Sequence, residues 1–335
     1  MKNQRELNMK SVIIPLAFAL STLSPLSATG VTVKNGKLMR SDFAPKMSAI
    51  EHYNAGIQAM EHKSWRTALK NFMIIGLHFS ESQVAEDAFY FKAVCNYHLM
   101  EYDIANNLFT DYLNQSGRLR YFEDALTYKL AIAEKFREGA RKHLFDSDKF
   151  PKWVTAREDS ISIYEQIISA VPNHELAAKA LFGKAVLQQR IQEYKDAIES
   201  YQTLIKRFPK NSLASDSYLA INEIYFEQSH TEFQNPDLLE LANLNYKRYI
   251  EAFPRDEKLD KAKEFLALME EIHAKGLYDT GLFYEKTKKR KASVIYYVTA
   301  LEKFPNAPSS ALCKERLSHL KTEVEELKVS EEFLK

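Results

Sequence analysis

Between residues 178 and 211 the apolar positions recur with a helical period. Ala197, Tyr201, Leu204, Ile205 and Phe208 fall at i, i+4, i+7, i+8 and i+11, which is one face of a helix. The stretch before them has the same period, so the segment predicts two helices, Ala178 to Arg190 and Lys195 to Phe208. Ala185 and Ala197 place small side chains where the two helices must approach, and Tyr194 fills the turn between them. Pro209 stops the second helix, because proline cannot donate the next backbone bond and clashes with the preceding turn.

The pattern recurs with a period of about 34 residues, that of a tetratricopeptide repeat. Residues 49–82 carry Gly56, Trp65, Ala68 and Phe72 in the slots held by Ala185, Tyr194, Ala197 and Tyr201. Residues 85–118 carry Ala93, Tyr102, Ala105 and Phe109 there. Residues 121–172 fit only with an insertion around Pro151, and residues 214–255 (Ala220, Ala242, Tyr246, Tyr249, Pro254) only with one around "SHTEFQNPD". The last copy offers Thr280, Ala292, Tyr296 and Pro305, one residue out of phase at its end. One helical hairpin cannot bury its apolar face and stacked hairpins can. The expected fold is therefore all-α, a right-handed superhelix of about six tetratricopeptide hairpins over 49–308. Residues 309–335 then form a capping helix and tail. Leu317, Leu320, Val324 and Leu327 make an apolar strip there, which either covers the last hairpin or docks a partner helix.

Composition agrees. The chain has 335 residues, 45% hydrophobic and 27% charged, with only nine glycines. At the N-terminus Lys2, Arg5 and Lys10 flank or precede the apolar "VIIPLAFAL", and small residues follow in "STLSPLSATG". This is the pattern of a secretory signal over 1–30, cleaved after Ala28 or Gly30, with Met9 as an alternative start and 31–48 as a linker. Removing it takes the formal charge from +1 to about −1. Near-neutrality gives no support to nucleic-acid binding. Cys95 and Cys313 lie inside helical runs, as buried free thiols do, and do not make a disulfide scaffold.

No glycine loop, nucleophile motif or metal-spaced His/Cys group is present; His52 and His62 are ten apart, not the i, i+4 pairing that aims two imidazoles at one metal. No compact domain is left over to house a catalytic centre, so neither enzyme chemistry nor a cofactor is expected. Two features invite binding. Lys286, Lys288, Lys289, Arg290 and Lys291 form a basic run in the last hairpin turn, either simply exposed or facing an acidic partner or anionic headgroups. Tyr53, Tyr90, Phe91, Tyr97 and His98 form an aromatic set on the first helices of the first two hairpins. They either pack between repeats or line a client groove. The carboxylate-clamp slots hold Ile50/Asn54, Asp87/Phe91 and Lys179/Gly183, which argues against a clamp for chaperone tails.

A secretory leader, a short linker and these repeats resemble the BamD-like family of outer-membrane β-barrel assembly components. The resemblance rests on "YNAGIQAMEHKSWRTALKNF" (53–72), "AEDAFYFKAVCNYHLMEYDIANNLF" (85–109) and "YDTGLFYEKTKKRKASVIYYVTALEKFPNAP" (278–308). It implies a non-enzymatic periplasmic scaffold, peripheral to the outer membrane. Its C-terminal repeats would bind the periplasmic domains of the barrel-forming protein, and its N-terminal repeats unfolded outer-membrane proteins. Family members are lipidated on a Cys directly after the leader, where this chain has Thr29, so no lipid anchor is expected. The alternative is a periplasmic adaptor for cell-wall or division machinery, of the CpoB-like kind.

Overall fold

The computed structural model describes residues 31–34, 37–40, 43–144, 149–231 and 235–327. The leader, the true start and the end of the tail lie outside these. Six helical hairpins follow one another: α1 (Ala49–Glu61) with α2 (Trp65–His78), α3 (Ala85–His98) with α4 (Tyr102–Leu113), and α5 (Phe122–Glu138) with α6 (Arg157–Ala170). Then come α7 (Glu175–Arg190) with α8 (Tyr194–Arg207), α9 (Ser212–Thr231) with α10 (Pro236–Ala252), and α11 (Leu259–Lys286) with α12 (Arg290–Lys303). Helices α13 (Pro308–His319) and α14 (Lys321–Glu326) close the stack. Each helix packs mainly on its chain neighbours, and first helices of successive hairpins also meet, α5 on α7, α7 on α9 and α9 on α11. That nearest-neighbour pattern is a solenoid.

One packing rule runs through the hairpins. A small residue at the start of each second helix lets it close on its partner, and an aromatic one turn later fills the space beside it. The pairs are Ala68/Phe72, Ala105/Phe109, Ser160/Tyr164, Ala197/Tyr201 and Ser293/Tyr297, all buried. In the fifth hairpin Ala242 keeps its place, but Tyr249 is the fully buried ring.

This rule corrects the last repeat. Its slots are Gly281, Ser293 and Tyr297, one residue on from Thr280, Ala292 and Tyr296, because Gly281 lies directly under the Tyr297 ring. In that register Phe304-Pro305 stands at the same distance from its slot as Phe208-Pro209 does, so the repeat is in phase.

The turns agree. Lys63, Met100, Gln192 and Lys288 are left-handed (φ 54°, 62°, 64° and 61°), each five residues before the small residue of its second helix. In each turn the left-handed residue donates its N–H to the carbonyl three back and the next residue to the carbonyl five back, as in Gln192 to Gln189 and Glu193 to Gln188. This is the Schellman closure that satisfies the last carbonyls of a helix.

Among the described residues two strand pairs depart from pure helix. Within the segment expected as a linker, β1 (Val31–Lys34) pairs antiparallel with β2 (Lys37–Arg40). The insertion around Pro151 is a second antiparallel hairpin, β3 (Arg141–His143) with β4 (Lys152–Thr155). Gly139, with φ 110°, ends α5 and turns the chain into it. At the other end Leu317, Leu320 and Val324 are buried with Val294, Tyr297 and Cys313, so most of the apolar strip caps the last hairpin. Leu327 stays exposed.

Candidate functional site

The aromatic set of the first two hairpins divides by depth. Tyr90 is buried, its ring stacked on Tyr121 at 4.3 Å between centroids and in contact with Phe91, Phe109 and Tyr112. Burial holds its phenol well above the ordinary tyrosine range. Tyr53 and Phe91 are half-buried, 6.1 Å apart, and both touch Phe72. Tyr97 is half-buried against Tyr102 and Tyr128. His98 is exposed at one edge while its ring stacks on Trp65 at 3.9 Å and 7°. Partial burial pushes its imidazole pKa down, which favours the neutral ring on that stack. Tyr90 is thus core, while Tyr53, Phe91 and Tyr97 are half-buried and His98 is exposed.

A polar hub that the sequence did not advertise ties this region together. Asp87 Oδ2 accepts from Tyr53 (3.4 Å), Tyr121 (3.4 Å) and Arg120 (3.2 Å), joining the first hairpin to the second and to the approach to the third. Desolvation first, then the Asp87 charge, pushes the Tyr121 phenol up to about 12. Asp87 reads in sequence as an ordinary first-turn acid, and nothing in spacing reveals partners 33 or 34 residues away.

None of the five aromatic residues lines the main clefts. The N-terminal cleft, about 670 Å³, lies between α2 and α3 and is lined by Phe72, Met73, Leu77, Phe89 and Lys92 among others. A second, about 760 Å³, lies between α7, α8 and α9. Phe182, Tyr194 and Tyr201 wall it, with Glu223 and Glu227 on one side; desolvation, opposed by a bond from Gln189, raises the Glu227 pKa, and Glu223 adds to the rise.

The basic run is exposed, as an inter-helix turn should be. It is also partly answered from within. Arg290 reaches Glu323 (3.5 Å) and Lys291 reaches Glu326 (2.5 Å), both on α14, and Lys289 sits 6.0 Å over the Tyr284 ring. Lys286 and Lys288 have no carboxylate partner among the described residues. Beneath the turn, Glu285 accepts from Tyr297 (3.0 Å) and pairs with Arg316 of α13. Burial alone would raise the Glu285 pKa, but the bonds from Arg316 and Tyr297 outweigh it and hold it low.

Among the described residues one group could approach a metal, Glu101, Asp103 and His143. Each of the three already has a partner within the chain. His143 Nδ1 pairs with Asp103 (2.7 Å), and Glu101 pairs with Lys152 (2.8 Å). The set pins β3 to α4. Both cysteines are free and buried, and burial pushes their thiols up to about 12, far from reactive thiolates. No described helix is long and apolar enough to cross a membrane.

The tetratricopeptide repeat family model matches residues 179–211, the α7–α8 hairpin in which the period is cleanest. The match covers that one hairpin. No curated protein matches the sequence. Similar solved structures include a TPR repeats protein from Bacteroides fragilis, 14% identical over 82% of this chain and 98% of that one, with a TM-score of 0.38. A tetratricopeptide repeat protein from Parabacteroides merdae is 11% identical over 82% and 98%, at 0.37. MamA from Desulfovibrio magneticus is 14% identical over 62% and 97%, at 0.36.

Proposed function

We propose that this chain is a non-enzymatic periplasmic scaffold of outer-membrane β-barrel assembly, holding unfolded clients at its first hairpins and the barrel-forming protein at its last. The observation that supports the reading is the aromatic set of half-buried Tyr53, Phe91 and Tyr97 and exposed His98 beside the buried Tyr90, which stacks on Tyr121. Unfolded barrel strands alternate apolar residues and carry aromatics near their ends. Ring-on-ring contacts with such a set add about 0.5–1.5 kcal/mol each beyond area burial, which suits transient handover better than storage. The exposed Lys286 and Lys288 are the free cations offered to the partner at the other end.

Photo-crosslinking in cells from positions 98 and 288 tests this. Barrel precursors captured at 98 and the periplasmic domains of the barrel-forming protein at 288 are the expected result. Capture of cell-wall or division proteins at both positions would instead assign the chain to the adaptor class. Thr29 makes a second check possible: the mature protein should take up no fatty-acid label, and a labelled N-terminus would refute the unanchored reading.

A further inference from the structure

The cleft between α7, α8 and α9 plays no part in the scaffold reading, and its charge is unbalanced. Glu223 and Glu227 stand one turn apart on α9, both half-buried and both lining the cleft. Like charges at that spacing repel. Glu227 accepts a long bond from Gln189 (3.5 Å), and among the described residues Glu223 has no hydrogen bond or ion pair. The nearby cations are engaged elsewhere. Arg190, at the exposed rim, donates to the Arg137 carbonyl at 2.7 Å, and Lys258 takes Asp216, the third acid of the cleft, at 2.5 Å. His230 rests edge-on against the Phe226 ring (4.7 Å). Phe182, Tyr194 and Tyr201 line the same cleft, Phe182 lying edge-on to Tyr201 at 5.7 Å. Ring faces beside unanswered carboxylates favour a cation.

The cleft continues along the first helices. A second one, about 360 Å³ between α5 and α7, is lined by Leu130, Gly183 and Leu213 and shares Phe182 and Val186 with the first. One groove therefore crosses α5, α7 and α9. Charges at its second end are already met, Glu134 by Arg137 and Lys179 by Glu175 (2.8 Å). The groove thus has an acidic aromatic end and a neutral apolar end. A nucleic acid, an anionic lipid surface or an acidic peptide would be repelled at the first end, and a small polyamine would leave the second empty. An extended protein segment with a basic side chain and an apolar one on the same face, two residues apart, answers both. Its polarity is the reverse of a clamp for terminal carboxylates.

We propose that the α5–α7–α9 groove docks an extended segment of a partner protein, its Lys or Arg side chain beside Glu223, Glu227 and Tyr194 and a neighbouring apolar side chain over Phe182 and Val186. The test is fluorescence anisotropy of the purified chain with a labelled, end-capped peptide, Leu-Ser-Arg-Ser-Leu, whose symmetry serves either chain direction. Wild type should bind it. Glu223→Gln with Glu227→Gln should weaken binding at least ~10-fold, the loss expected when a bond to a charged group goes. The melting temperature should not fall, because Gln keeps the shape and removes a repulsion. Replacing the peptide's Arg with Gln should cost as much, and combining the two changes should add little, since both break one interaction. Replacing both Leu with Ser should weaken binding at least ~5-fold. No binding by wild type, or equal binding by the double variant, would overturn the proposal. Spermidine binding as tightly as the peptide would overturn it in favour of a small cation. Self-association of the chain that the double variant loses would overturn it in favour of a second copy. None of these measurements involves positions 98 or 288, so the scaffold reading stands or fails separately.

Discussion

Gly281 lies so close under Tyr297 that a Cβ built on it would sit 2.4 Å from the ring's Cε1. The ring cannot swing away, because it is fully buried and its hydroxyl donates to Glu285 at 3.0 Å. Gly281→Ala must therefore shift α11 against α12. Overpacking of this kind costs about 1–3 kcal/mol. Thr280→Ala, one residue away, loses only a bond to the Gly276 carbonyl within its own helix and should change stability little. Denaturant titration of both variants decides the register of the last repeat: equal destabilisation would restore Thr280 to the slot.

The left-handed turn residues make a prediction of opposite sign. Gln192 holds φ 64°, where a side chain is strained and glycine is not. Gln192→Gly removes that strain but gives the unfolded chain more freedom, and the expected net gain is about 0.5–1 kcal/mol. Gln192→Val, β-branched at the same angle, should lose more than that. A loss of stability in the glycine variant would mean that the Gln192 side chain contributes packing its exposed position does not suggest.

These two sites show how much could be read in the chain. The hairpins, the alanine–aromatic pairs and the Phe-Pro stops were legible because each is a local, periodic consequence of helix geometry. The α7–α8 boundaries came within a few residues, the start of α7 being missed by three because Glu175-Leu176-Ala177 precedes the repeat's own slots. The last repeat slipped because Ala292 imitates the small residue that Ser293 in fact supplies, and Ser293 is recognised only by its burial. The β3–β4 hairpin escaped because three- and four-residue strands leave almost no period. The candidate site was legible only as a composition of rings; that Tyr90 is buried and His98 exposed depends on contacts with Tyr121 and Trp65 from other hairpins.

Lys129 offers a pH test. It is buried in α5 with Nζ donating to Asn106 (2.8 Å) and Thr110 (2.6 Å), and among the described residues no carboxylate pairs with it. Desolvation pushes its pKa from 10.5 down to about 8. Between those values the unfolded chain binds a proton that the folded chain does not, so this group's contribution to stability rises with pH from about 8 to about 10.5. The slope can reach about 1.4 kcal/mol per pH unit. The two raised thiols and the raised phenols act oppositely at the upper end of this window, so the reading is the difference between wild type and Lys129→Met. That difference should grow less favourable to the methionine variant as pH rises. A pH-independent difference would place a counter-charge beside the ammonium.

The buried and the exposed members of the aromatic set should separate on mutation. Tyr90 is 4% exposed and stacked on Tyr121, so Tyr90→Ala opens a cavity between the second and third hairpins at a cost of about 3–5 kcal/mol. In a solenoid such a loss is not shared by the whole chain, because each hairpin is stabilised mainly by its neighbours. Hydrogen exchange should therefore speed up across α3, α4 and α5 while α7 and α8 keep their protection. His98→Ala removes an exposed ring whose main contact is the stack on Trp65, worth about 0.5–1.5 kcal/mol. It should leave exchange in α5 unchanged and still weaken capture of an aromatic-ended strand peptide. Uniform loss of protection in the Tyr90 variant would mean that the stack unfolds as one unit, and unaltered peptide capture by the His98 variant would remove that ring from the client site.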